Sequence, residues 1–228
     1  MKARILMIIT LVLFAGACGT CMNEERQETM PEKVIRCWTG TVFLVTEEGG
    51  RGSGSHLGNG YILTAAHVPG ELEELTILIS GESKAELELK AKLVYKDINK
   101  DLALFKIEEG YEGIPVLKVA KNSAKIGDIV YAIGYQFGYL TLKTSNRGVV
   151  SGGFFRGEGE DRREFVLYDA AINRGCSGGP VLNSNMEVLS VNQQIFNDYA
   201  PMFVGISCSG SLGDLKEFLK ASGFGVRK

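Results

Sequence analysis

Three polar side chains, far apart in the sequence, have the types that acyl transfer by an activated hydroxyl requires. A serine attacks a carbonyl when a neighbouring base takes its proton, a third group holds that base in the right tautomer, and donors meet the oxyanion that forms. The segment Asn173-Arg174-Gly175-Cys176-Ser177-Gly178-Gly179-Pro180 offers the first and last of these. Glycines on both sides of Ser177 allow a sharp loop in which the amides of Gly175 and Ser177 turn toward one oxygen. Taken alone, such a string is an ordinary turn. His67 follows Tyr61-Ile62-Leu63-Thr64-Ala65-Ala66, an apolar run ending in small residues that let an imidazole approach a serine. The other histidine, His56, lies between Ser55 and Leu57 and reads as structural. Asp101 opens the apolar Leu102-Ala103-Leu104, where a carboxylate is sheltered enough to hold an imidazole, whereas Asp97 sits in a polar connection. An isolated aspartate before a strand is commonly a turn former. Together, in the order His67, Asp101, Ser177, the three make a base, an orienting carboxylate and a nucleophile.

Side chains this distant act together only if rigid elements carry them. From Val34 onward, short β-type runs alternate with turn signals. The runs cover residues 41–46, 61–64 (after the tight turn Gly58-Asn59-Gly60), 75–79, 87–95, 102–107, 129–133, 165–168, 188–191 and 202–207. Pro180 leads into a further strand start at Val181-Leu182. Many short strands with little helix between them predict an antiparallel barrel or sandwich. One good helix is predicted, at the C-terminal end. Ser211 is its N-cap, Leu212, Leu215, Phe218 and Leu219 its apolar stripe, and Gly223 or Gly225 its stop.

Composition bounds the partners. Twenty-nine glycines against 5 prolines among 228 residues suit a turn-rich β fold. A formal charge of −2 and no Lys/Arg-rich block argue against a nucleic-acid footprint. At the amino terminus, Lys2 and Arg4 precede the apolar run 5–14 and then Ala15, Gly16 and Ala17, the layout of an export signal over residues 1–17. Phe14-Ala15-Gly16-Ala17-Cys18 resembles a bacterial lipoprotein signal, which would make Cys18 a lipidated anchor, although Ala15 stands where leucine is usual. Residues 18–33 are polar without apolar period and read as a tether. Export leaves Cys21, Cys37, Cys176 and Cys208 either bridged or free and buried.

The motifs agree in register with one family. Gly52-Ser53-Gly54 with Gly60 to Val68, Asp101-Leu102-Ala103-Leu104, and residues 126–134 with Phe137-Gly138 resemble the trypsin-like (chymotrypsin-fold) serine proteases. Residues 147–152 and 169–175 follow the same pattern, which is nearest to the HtrA/Deg-type bacterial proteases. The resemblance implies an all-β fold of two six-stranded antiparallel barrels with a C-terminal helix, over a domain at 34–226. It implies a serine endopeptidase of the periplasm or cell envelope acting on polypeptides, with no cofactor or metal. The oxyanion hole would use the backbone of Gly175, Cys176 and Ser177, and the substrate pocket would be walled by Ala171, Ile172, Asn173 and Ser207. No acidic residue stands at Ala171, so a short aliphatic residue before the scissile bond is expected.

Departures from the pattern are few. Cys176 replaces the asparagine usual before the nucleophile, but the nucleophile directly precedes the Gly-Gly pair, and that is Ser177. Tyr135-Gln136 replaces Asn-Pro. The chain ends at Lys228, which leads us to expect a catalytic domain without the family's peptide-binding PDZ domain. The contrasting expectation is a catalytically silent lipoprotein that keeps the fold as a binding or scaffold module.

Overall fold

The computed structural model describes residues 28–80, 85–159, 162–195 and 206–225. The export signal, Cys18, Cys21 and residues 202–205 of the last predicted strand lie outside these. Six strands close a barrel: β1 (Thr41–Val45), β2 (Arg51–Gly58), β3 (Tyr61–Thr64), β4 (Glu74–Ser80), β5 (Ala85–Asp97) and β6 (Leu102–Ile107), in the order β1-β2-β3-β6-β5-β4. Pairing of Phe43 with Leu78 and of Leu44 with Ile77 joins β1 back to β4 and removes both edges. The β2–β3 hairpin turns on Asn59 and Gly60, whose φ values of 50° and 73° are those of a type I′ turn. A Cβ at Gly60 would lie 2.4 Å from the Ile107 carbonyl, so only glycine fits.

The second half is β7 (Ile129–Tyr135), β8 (Lys143–Arg156), β9 (Arg163–Tyr168), β10 (Pro180–Leu182), β11 (Val188–Val191), β12 (Gln194–Ile195) and β13 (Ser207–Gly210). They form one seven-stranded sheet ordered β11-β10-β7-β8-β9-β13-β12. The fold class is the expected chymotrypsin-like double barrel, but among the described residues this half is a half-barrel rather than six closed strands. A hydrophobic cluster runs from Leu63, Leu102 and Leu104 of the first barrel to Ala132, Ile133, Val181 and Leu182 of the second sheet, so the halves share a core. Helix α2 (Leu212–Ala221) is where the apolar stripe predicts it, with Ser211 Oγ accepting from Asp214 N.

One helix is missing from the sequence expectation, although Thr29, Pro31 and Glu32 form a capping box and first turn at its start. Helix α1 (Met30–Thr39) begins inside the stretch that reads as a tether. Ten residues are too few for a stable isolated helix in water, and its support is tertiary. Cys37 is fully buried, and Val34 and Trp38 pack on the shared core. Lys143 Nζ donates to the Trp38 and Thr41 carbonyls at 2.7 and 2.8 Å, capping the negative end of the helix. Burial pushes the Lys143 ammonium down to about 7, and the Trp38 and Tyr135 rings, 4.2 and 4.8 Å from it, favour the cation in return.

His56 has the structural role expected of it. Its Nδ1–H donates to the Ile114 carbonyl (2.9 Å) and its Nε2 accepts from Gly60 N (3.2 Å). Both nitrogens are committed to the neutral form, and burial lowers the pKa. As pH falls through the ordinary histidine value of about 6.5, the unfolded chain takes up this proton before the folded one. Folding stability should therefore decline below that pH by up to ~1.4 kcal/mol per unit from this group. Urea unfolding of His56→Asn between pH 7.5 and 5 should give a shallower decline than wild type, and an unchanged slope would refute the assignment.

Candidate active site

Strand β3 delivers His67 and the turn before β6 delivers Asp101. His67 Nδ1 lies 3.0 and 2.9 Å from Asp101 Oδ1 and Oδ2, and His67 N donates to Oδ1 at 2.9 Å. A carboxylate only accepts, so Nδ1 carries the proton and Nε2 keeps the free lone pair. The His67 side chain is 46% exposed, which leaves Nε2 open to the cleft. Asp101 has φ +50°, a left-handed conformation that aspartate tolerates better than most residues.

The loop at residues 173–179 is anchored on alternate peptides. Cys176 N donates to the Asn173 carbonyl (3.0 Å), Gly178 N to Asn192 O (2.8 Å) and Gly179 N to Cys176 O (3.0 Å). Among the described residues, the amides of Gly175 and Ser177 donate to nothing. Of the three amides expected to form an oxyanion hole, that of Cys176 is already used. Gly175 has φ +89°, and a Cβ there would lie 2.3 Å from both Gly138 N and the Tyr135 carbonyl. Gly178 has φ +83°, and a Cβ would meet Thr64 Oγ1 at 2.0 Å. The loop thus presses against the strand that carries His67.

A serine that stands out in the sequence only as the middle of a glycine motif joins the two halves. Ser53 N donates to the Ser177 carbonyl (2.8 Å), and Ser53 Oγ donates to the Gly175 carbonyl (2.7 Å) while accepting from Tyr135 N (3.0 Å). Ser53 is completely buried, so its hydroxyl stands in place of water for the Gly175 carbonyl, which among the described residues has no other hydrogen-bond donor. Gly52-Ser53-Gly54 is the sole sequence signal for it, since a serine between glycines has no distinctive pattern.

Ser177 is half-buried beside this anchor. Among the described residues its hydroxyl makes no hydrogen bond, so His67 and Asp101 are joined while Ser177 is bonded to neither. Cys176 is packed rather than poised: it is 1% exposed, and a Cβ on Gly134 would touch its Cα, Cβ and Sγ within 3.0 Å. Burial pushes its thiol up to about 11, which keeps it protonated and a poor nucleophile at neutral pH. Cys37, Cys176 and Cys208 are buried thiols that form no disulfide among the described residues, which do not include Cys21. Of the expected pocket residues, Ile172 is buried in the shared core, while Ala171 is exposed and Asn173 half-buried. Ser207 Oγ donates to the Ala170 carbonyl (2.7 Å), which sets the start of β13 against the 170–173 segment. A cleft of about 530 Å³ extends from His67 along Ile98, Asn99, Arg156 and Phe165. The described residues contain no cluster of three or more His, Cys, Asp or Glu arranged to hold a metal ion.

Comparison with known proteins places this geometry. The family model of the trypsin-like peptidase domain matches residues 40–191. A probable periplasmic serine endoprotease, DegP-like, from Pseudomonas fulva is 37% identical over 169 residues, covering 72% of this chain and 33% of its own length. The chain spans about a third of the length of the curated relatives it matches. The crystal structure of the serine endoprotease from Yersinia pestis superposes with a TM-score of 0.69 at 25% identity, over 89% of this chain and 70% of that one. The active form of a protease from M. tuberculosis gives 0.68 at 20% identity, over 84% of both chains, a likeness of fold.

The Ser53 anchor makes a stability prediction. Ser53→Ala takes the donor from the buried Gly175 carbonyl and an acceptor from Tyr135 N, and should lower the free energy of unfolding by about 1–3 kcal/mol. Chemical denaturation reads this directly, and a loss below about 0.5 kcal/mol, the scale of an uninvolved surface change, would mean that the hydroxyl joins nothing.

Proposed function

Because the chain belongs to the trypsin-like peptidase family, we propose that it is a serine endopeptidase in which Ser177 is the nucleophile, His67 the general base and Asp101 the residue that orients it. The observation that carries the reading is the Asp101 carboxylate on His67 Nδ1, which leaves Nε2 basic and facing the cleft. In the proposed cycle, Ser177 Oγ attacks the scissile carbonyl and its proton passes to His67 Nε2. The imidazolium is stabilised by Asp101, and the oxyanion takes the two uncommitted amides of Gly175 and Ser177. Collapse expels the amine, which takes the proton from His67, and leaves an acyl group on Ser177. Water, deprotonated by His67, then releases the acid. Hydrogen bonds of this kind commonly tighten only when substrate is bound, so we assign completion of the Ser177–His67 contact to the complex. The substrates are polypeptides, with a short aliphatic residue before the scissile bond.

The unbonded Ser177 hydroxyl favours a second reading, a silent protease-fold module that binds or scaffolds other proteins. A fluorophosphonate probe separates the two. It should label the folded chain and not Ser177→Ala, and His67→Ala should lower kcat by roughly 10³-fold or more. With a peptide library, cleavage after Val, Ala or Leu should exceed cleavage after Arg or Lys. A folded wild type that neither takes the probe nor cuts any peptide leaves the scaffold reading standing.

The relatives are described as periplasmic, and the same compartment is proposed here, with a role in envelope protein processing or quality control. The amino-terminal layout adds export over residues 1–17 and a lipid anchor at Cys18 on grounds of sequence, with the polar tether read over 18–33 giving way to α1 at Met30. Cells fed labelled palmitate should transfer the label to the wild type and not to Cys18→Ser; equal labelling would remove the anchor.

A further inference from the structure

Asp101 does not hold its conformation by itself. It stands in a left-handed conformation (φ +50°) immediately before β6, after a turn closed by Lys100 N on Asp97 Oδ1 (2.9 Å) and Asp101 N on the Ile98 carbonyl (3.2 Å). The peptides on either side of its Cα are both gripped from the other half of the molecule. The Lys100 carbonyl accepts from Arg163 Nη2 (2.7 Å) and from Gln193 Nε2 (2.8 Å), and the Asp101 carbonyl accepts from the same Gln193 amide (3.2 Å). Two peptide planes held in space determine φ and ψ of the residue between them, and with those the direction of its Cα–Cβ bond. That direction sends the carboxylate to His67.

Arg163 is held in turn. It opens β9, its side chain is only 15% exposed, and its Nε lies 3.7 Å from Asp214 Oδ2 in the first turn of α2. Its guanidinium lies 4.7 Å from the Phe165 ring centroid. The planar guanidinium faces two directions at once: Nη2 donates to the Lys100 carbonyl, while Nε lies in ion-pair range of the Asp214 carboxylate without a hydrogen bond, a spread that the single point charge of a lysine does not offer. From α2 the Lys100 side chain is also approached, by Glu217 at 3.7 Å.

We propose that Arg163, steadied by Asp214, is a positioning residue that keeps Asp101 aligned on His67 by holding the Lys100 carbonyl, so that the C-terminal helix takes part in aligning the catalytic base. The inference rests on the endopeptidase reading above for its kinetic consequence but not for its geometry.

The test combines kinetics with a direct view of the His67–Asp101 bond. Arg163→Ala should lower kcat by at least ~10-fold with KM within about twofold, since misalignment acts on chemistry and not on substrate affinity. Arg163→Lys should restore little, and Asp214→Asn should lower kcat by about 3-fold. In the Asp101→Ala background the Arg163→Ala change should alter residual hydrolysis less than about twofold, because the route it acts through is gone. The downfield proton resonance of His67 Nδ1–H, present in wild type, should weaken or vanish in Arg163→Ala and Asp214→Asn at a temperature where both are folded. A kcat within twofold of wild type, an equal loss in the Asp101→Ala background, or an unchanged resonance overturns the proposal. Inactivity of the wild type would instead sink the endopeptidase reading, and the resonance would still decide the role of Arg163. Should Arg163→Ala fail to fold, the kcat and the resonance of Asp214→Asn decide the proposal in its place.

Discussion

A buried hydroxyl between the two halves is the contact on which the arrangement of the site depends. Ser53 belongs to the closed barrel, yet its amide and its Oγ bind the Ser177 and Gly175 carbonyls of the other half. Ser53 and Gly175 are buried, so separating the halves by even an ångström would leave the Ser53 hydroxyl and the Gly175 carbonyl without each other and away from water. Each such atom costs about 1–3 kcal/mol. The distance between the strand bearing His67 and the loop bearing Ser177 is therefore set by hydrogen bonding, which tolerates little stretch, and not only by apolar packing.

That anchoring also explains the glycines. Peptides 175–176 and 177–178 are tied through their carbonyls to Ser53 and through their amides to Asn173 and Asn192. The intervening peptides are left with their N–H groups at Gly175 and Ser177 uncommitted. Such alternation needs positive φ at Gly175 and Gly178, and close approach of Gly179, where a Cβ would lie 2.1 Å from the Ile133 carbonyl. Asn192 completes the support: fully buried, it accepts from Tyr168 Oη (2.7 Å) and donates to the Ile133 carbonyl (3.1 Å). A loop with this many fixed peptides has its donors preorganised, which is the condition for electrostatic stabilisation without reorganisation during reaction.

Rigidity on one side is matched by exposed apolar surface on the other. Phe137, with φ +55°, and Tyr139 are each 58% exposed and flank Gly138, whose carbonyl accepts from Arg51 Nη1 (3.0 Å). The loop that follows Gly134 departs from Asn-Pro in sequence, and its backbone is nevertheless pinned to the first barrel. Gly138 N lies where a side chain on Gly175 would have to go, so this loop and the nucleophile loop exclude each other's side chains. The replacement at Tyr135 is accommodated because its ring packs on Phe43 with centroids 4.9 Å apart and its hydroxyl donates to the Thr41 carbonyl (3.3 Å).

Strands whose apolar residues face a shared interior are legible from local pattern, and β3, β6 and β11 have the boundaries that the pattern predicts. Type I′ geometry at Asn59-Gly60 and the N-cap of α2 are equally local, since each is decided by residues within one turn of chain. By itself the sequence determined the β-rich class, the C-terminal helix and the candidate trio His67, Asp101 and Ser177, because residue type and order suffice for these. Helix α1 has a local start signal in Thr29, Pro31 and Glu32, yet ten residues are too few to stand alone, and its stability comes from the shared core and from Lys143, more than a hundred positions away. Only the tertiary structure decided that Ser53 joins the halves, that Ile172 packs inward, that Cys176 is a buried thiol, and that Arg163 and Gln193 hold the peptides around Asp101. Each of these depends on which polar atoms are left buried beside one another when distant strands meet, and no spacing along the chain encodes that.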